Sequence, residues 1–195
     1  MSRSTRLLLA VAALSMALVY VLPLWHVGLL APQYPEGIGL YIGINKVTGE
    51  KPQDLNSINN LNHYIGMKRI VPESIPELRF MPLLVGGLIV LGLGAAATGK
   101  RPLLYLWVVL FALGSVAGLA DFYRWGYDYG HNLDPEAIIK ITGMSYQPPL
   151  IGSKQLLNFH ATSWPASGGW ILVVALLLGA WLTVHELRRP RAVPA

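Results

Sequence analysis

Four apolar runs divide the chain, separated by a tight basic link and by two long stretches richer in polar, glycine and proline positions. The runs extend from Leu7 to about Ala31, Phe80 to Thr98, Pro102 to Ala120 and Gly169 to Val184. A helix needs about 20 apolar residues to cross a hydrocarbon core of roughly 30 Å, whereas a transmembrane strand needs only about 10. Backbone polar groups inside a bilayer must be satisfied within the segment, so these runs are predicted to be spanning helices. In the fourth and shortest, Trp170 and Trp181 are expected to reach into the interfaces. The expected fold class is all-α integral membrane: four transmembrane helices in a single domain covering 1–195. Two long outer loops, 32–79 and 121–168, are expected to be partly helical and to fold together into a cap.

The loops carry patterns of their own. Ile38, Leu40, Ile42 and Ile44 alternate between glycines, which predicts a short extended stretch or hairpin, with Thr48-Gly49 as a turn. Leu55, Ile58, Leu61 and Ile65 recur at helical spacing, so a helix is predicted with Asp54 as its N-cap and Gly66 at its end. Pro72 and Pro76 prevent it from running on into the second span. In the second loop, Phe122, Tyr123, Trp125, Tyr127 and Tyr129 suit the headgroup boundary. Asp134-Pro135 predicts a short capped helix through Ile139, and Pro148-Pro149 and Trp164-Pro165 an irregular return to the bilayer.

Charge fixes the expected orientation. Arg3 and Arg6, Lys100 and Arg101, and Arg188, Arg189 and Arg191 fall on one side of a four-span topology, accompanied by Glu186 alone. The other side holds nine of the ten acids. The positive-inside rule then places both termini in the cytoplasm and both loops outside, in the bacterial inner membrane with the loops in the periplasm. The excess of fifteen Lys and Arg over ten Asp and Glu is thus a topology signal, and no nucleic-acid partner is implied. The first run exceeds the 7–15-residue apolar core of a signal peptide and lacks a closing Ala-x-Ala, so it reads as an uncleaved span. Absence of cysteine excludes disulfide and thiolate-metal scaffolds.

The spans carry no Lys, Arg, Asp or Glu in their central portions, which removes the usual material of proton relays and ion pathways. Hydrolase and phosphate-binding motifs are absent, so no enzyme activity is expected. Soft and borderline metal ligands collect on the loop side: His26, His63, Met67, Met81, His131, Met144 and His160. His63 and Met67 are four apart and share a helical face if the helix persists through Gly66. Imidazole with thioether suits copper, above all Cu(I). The bland alternative is that the histidines bond to loops and the methionines fill gaps. Asn56, Asn59, Asn60 and Asn62 are expected to cap and turn backbone, and Asp121 with Arg124 to pair as an interfacial anchor.

Four segments carry a family likeness. They are 31–37 (APQYPEG), 59–67 (NNLNHYIGM), 129–135 (YGHNLDP) and 143–152 (GMSYQPPLIG). Together they resemble a family of small bacterial membrane proteins of uncertain function, associated with gene neighbourhoods for nitrous oxide reductase and its copper-maturation factors. The resemblance covers both outer loops and implies an accessory role in periplasmic copper handling, or in maturing or supporting a copper enzyme of denitrification. Copper would be the ion handled, membrane lipid the surroundings, and another membrane or periplasmic copper protein the partner. A rival reading is a non-catalytic subunit stabilising a larger membrane complex, favoured by the small-residue spacing of Gly86-Gly87, Gly92, Gly94, Gly114 and Gly118. A third is a quinol-linked electron-transfer subunit with a niche near Trp125.

Overall fold

A computed structural model describes residues 1–141 and 143–189; Arg191, assigned above to the basic end, lies outside them. Four helices are long and apolar enough to cross a membrane. They are α1 (Arg3–Ser15), extended by a 3₁₀ turn Met16–Tyr20, α3 (Glu77–Thr98), α4 (Arg101–His131) and α5 (Ser167–Arg188). Between α1 and α3 come strands β1 (Trp25–Ala31), β2 (Tyr34–Ile42) and β3 (Val47–Gly49), then helix α2 (Asp54–Ile65). Strands β4 (Gly152–Leu156) and β5 (Phe159–Pro165) lie between α4 and α5.

The core of the bundle is built around Trp107 of α4, fully buried among Leu9, Met16, Leu104, Phe111 and Leu182. Its indole donates to the Leu88 carbonyl of α3 at 2.8 Å. At Gly92 a side chain would come within 2.8 Å of that indole nitrogen and of Ala13, so the close approach of α1, α3 and α4 requires glycine there. The end of the bundle opposite the loops is closed by polar contacts. Fully buried Glu186 accepts from the Thr5 hydroxyl (2.7 Å), the Ser2 amide (3.2 Å) and Arg101 Nε (2.9 Å). Arg6 donates to the Ala96 and Ala97 carbonyls at 2.7 and 2.6 Å, satisfying the carbonyls that end α3.

The all-α expectation is not met, because the cap contains a five-stranded antiparallel sheet in the order β3-β2-β1-β5-β4. The first span is correspondingly shorter than expected. Its helix ends at Tyr20, ahead of Pro23, and Trp25–Ala31 forms the central strand instead of the upper part of a helix. Its Val27 and Leu29 are apolar because that face of the strand packs on the core beneath the sheet, not because lipid surrounds them. Thr48 and Gly49 belong to β3 rather than a turn, and the chain reverses where the Gly43 amide meets the Lys46 carbonyl at 2.8 Å.

Cross-strand partners share a face of the sheet. One face, with Val27, Leu29, Ile38, Leu40, Ile42 and Val47, packs on Ile58 and Leu61 of α2 and on Ile70, Ile75 and Leu78 of the return segment. Asp54 is the first residue of α2 and not its N-cap. Its buried carboxylate accepts from the Gly39 and Lys51 amides at 3.0 and 3.1 Å, joining helix to sheet. The third span is also redrawn: α4 continues eleven residues past Ala120, with the aromatic cluster inside it. At 1.5 Å per residue α4 is roughly 46 Å long, about 16 Å more than the hydrocarbon core. Its upper part stands against the cap, where Phe122 meets Trp25 edge-on at 5.5 Å.

Candidate functional site

Helix α2 ends where the sequence indicates. Gly66 adopts φ +80°, and the Met67 amide returns to the Asn62 carbonyl at 2.8 Å. The helix does not persist through Gly66, so the shared helical face that paired His63 with Met67 does not exist. The two asparagines on the inner side of α2 are structural. Asn59 exchanges two hydrogen bonds with the Ile70 backbone (3.0 and 2.7 Å), and Asn62 donates to the Lys68 carbonyl at 3.2 Å. They fasten the chain after Met67 alongside the helix.

This end of α2 is also where the second loop docks. The Asp134 amide donates to the Gly66 carbonyl at 2.8 Å and the Ile139 amide to the Tyr64 carbonyl at 2.9 Å. No helix forms over Asp134–Ile139; the Asp134 carboxylate accepts from the Glu136 amide at 2.8 Å, making a turn instead. Lys68 pairs with Asp128 of α4 at 2.6 Å, and the Tyr146 amide reaches the Gly130 carbonyl at 3.0 Å. Four separated stretches therefore meet at one junction at the top of the cap: 59–68, the end of α4, 133–139 and 144–147.

Four of the seven candidate ligands ride on these stretches: His63, Met67, His131 and Met144. His63 and His131 are exposed, and Met67 and Met144 half-buried. His131 is held in one tautomer. Its Nδ1 lies 3.0 Å from the Tyr127 carbonyl, which only accepts, so Nδ1 is the donor and, in the neutral ring, Nε2 is the nitrogen with the lone pair. The ring stacks on Tyr127 at 3.9 Å. The sequence alone places Tyr127 only in the aromatic cluster at the headgroup boundary, although its position one turn before His131 carries the signal of this pairing.

The other three are elsewhere. Met81 packs with Val19, Leu24 and Ile44 where the bundle meets the cap. His26 and His160 lie on the open face of the sheet, at opposite ends of the β1–β5 ladder. His26 bonds Glu50 at 2.9 Å through Nε2 and tilts against Tyr41. Among the described residues, no three His, Asp or Glu side chains are grouped so as to hold a metal ion. Soft coordination at the junction would therefore depend on the methionine sulfurs. Asp121 and Arg124 pair at 2.7 Å as expected, and Arg124 also reaches Glu77 at 3.4 Å. No family model matches this chain, and no curated protein matches it either.

Proposed function

We propose that this chain is an integral membrane accessory protein of the bacterial inner membrane, with both termini cytoplasmic, that handles Cu(I) at its periplasmic cap. It would support a copper enzyme such as nitrous oxide reductase by holding the ion briefly for transfer. The observation that carries this reading is the junction. Backbone hydrogen bonds draw together the stretches bearing His63, Met67, His131 and Met144, and the Tyr127 carbonyl leaves His131 with a free Nε2. Two or three imidazole and thioether donors suit Cu(I), and a hard cation would find few oxygens in that set. The chain's own part is to orient His131, keep the two thioethers half-buried, and leave the histidines open to a partner.

The test is anaerobic Cu(I) loading of the purified protein against a competing chelator. Wild-type protein is expected to take up about one equivalent, and His63→Ala, Met67→Ala and His131→Ala to lose affinity by about tenfold or more. No stoichiometric uptake, or uptake unchanged in all three variants, would overturn the copper reading. A second reading, a scaffold within a larger membrane complex, is favoured by α4. Nothing lies within 4 Å of a side chain added at Gly114 or Gly118, so that small-residue face is free for another helix. Co-purification of a membrane partner that is lost on Gly114→Leu would support it.

A further inference from the structure

The register of the sheet gathers aromatic side chains into one row of its open face. Trp164 of β5 pairs with His26 of β1, His26 with Tyr41 of β2, and Tyr41 with Thr48 of β3. Cross-strand partners share a face, so all four stand on the side away from α2. The next two rows on that face are different. One holds Ser153, Thr162, Gly28 and Gly39, the other Gln155, His160 and Leu30, with no Trp or Tyr in either. The aromatic row is also the one at the bundle end of the strands. The Ala166 amide donates to the Leu24 carbonyl at 3.0 Å and the Gly168 amide to the Pro23 carbonyl at 2.8 Å, which clamps the start of β1 to the start of α5. A side chain at Gly168 would come within 2.8 Å of that Pro23 carbonyl, so the clamp leaves no slack between sheet and helix.

These bonds fix the height of the row. Helix α5 has 22 residues and at 1.5 Å each is about 33 Å long, close to the roughly 30 Å of a hydrocarbon core. Trp164 lies three residues before its first residue, Ser167, and extended chain covers at most about 3.6 Å per residue. Its backbone is therefore within about 11 Å of the end of α5, where the headgroup layer begins. Trp164 is 49% exposed, and His26 and Tyr41, in contact at 4.8 Å, are partly exposed beside it. Trp170 in the first turn of α5 and Tyr20 at the end of the first span are open as well, so the row continues a belt already begun on the spans. Indole, imidazole and phenol each join an apolar ring to a polar tip, the chemistry that settles at the boundary between acyl chains and headgroups. We propose that the Trp164–His26–Tyr41 row binds the headgroup layer of the leaflet on the cap side, so that the sheet rests on the membrane along the lower edge of its open face. The proposal rests on the reading of the four apolar helices as spans and is independent of copper.

The chain has no cysteine, so single spin labels can be placed in the full-length protein without other changes. The experiment uses phosphatidylcholine nanodiscs and labels at Thr48→Cys, in the row, Gln155→Cys, two rows out, and Leu177→Cys, an exposed residue midway along α5. Collision with oxygen against collision with a water-soluble nickel chelate reads the depth of each. The label at 177 is expected in the hydrocarbon, the label at 48 at headgroup level, and the label at 155 in water, up to about 13 Å further out at roughly 3.3 Å per residue. Adding Trp164→Ala and Tyr41→Ala should shift the label at 48 toward the nickel chelate and leave the label at 177 where it was. Trp164→Ala alone, at a half-exposed side chain, keeps the test valid if the double variant does not fold. With the label at 177 in lipid, a label at 48 as open to nickel as the one at 155, or unmoved by the aromatic substitutions, would overturn the proposal. Protection of position 48 in native membranes but not in pure lipid would assign the row to a protein partner and overturn it too. A label at 177 open to nickel would instead remove the spans on which the proposal rests.

Discussion

At the scale of single residues, the cap is governed by a few backbone positions and short polar side chains rather than by charge. Gly66 is the sharpest case. Its φ of +80° belongs to the left-handed region, and a side chain there would come within 3.0 Å of the Asp134 amide and carbonyl and 2.9 Å of the Ala137 Cβ. Gly66→Ala combines left-handed strain of roughly 1–2 kcal/mol with loss of the Asp134 contact, so thermal unfolding should show a destabilisation of at least about that size. If the junction is the copper site, the same variant should weaken Cu(I) retention although it removes no donor atom. Asn59 acts differently, since its amide completes both polar groups of the Ile70 backbone. Asn59→Ala should cost about 1–3 kcal/mol and raise hydrogen exchange at Ile70 and its neighbours, whereas Asn56→Ala, bonded to Gln53 alone, should do neither.

At the scale of elements, what could be read in the chain depended on whether the causes were local. The spanning helices were legible because length and apolarity are properties of a continuous segment, and α2 because its four aliphatic residues recur on one face. The termination of α2 at Gly66 was equally local. The sheet was not legible as a whole. Strand β1 is bonded to β5, more than a hundred residues later, and its seven mostly apolar residues continue the first span without a break in composition. Strands β4 and β5 carry Gly, Ser, Lys, Gln and Thr, and nothing within them reveals that β1 is their neighbour. The candidate site divided in the same way. The residue types were visible, but the single pairing inferred from helical spacing, His63 with Met67, depended on a helix that ends one residue before Gly66. The meeting of α2 with the end of α4 depends on backbone bonds between residues about 70 apart, such as Asp134 to Gly66.

At the scale of the whole molecule, the bundle and the cap divide the polar chemistry between them. The end of the bundle opposite the cap brings together Met1, whose ammonium donates to the Gly99 carbonyl at 2.8 Å, and Arg6, Arg101 and Glu186. The N-terminus, the end of α5 and the α3–α4 link therefore lie on one side of the apolar region, and the sheet, α2 and the junction on the other. This arrangement converts the charge asymmetry into a measurable statement about orientation, because short basic segments favour the cytoplasmic side. Reporter fusions or introduced single cysteines at positions 60 and 140 should be accessible from outside the cell, and ones at positions 2 and 100 only from the cytosol. Exchanging Lys100 and Arg101 for neutral residues should weaken this preference without moving the helix boundaries, since the α3 end is also held by Arg6. Labelling of position 60 or 140 from the cytosolic side would place the junction and the open sheet face in the wrong compartment. It would remove the periplasmic copper reading, since the histidines and methionines of the junction would then face the cytosol.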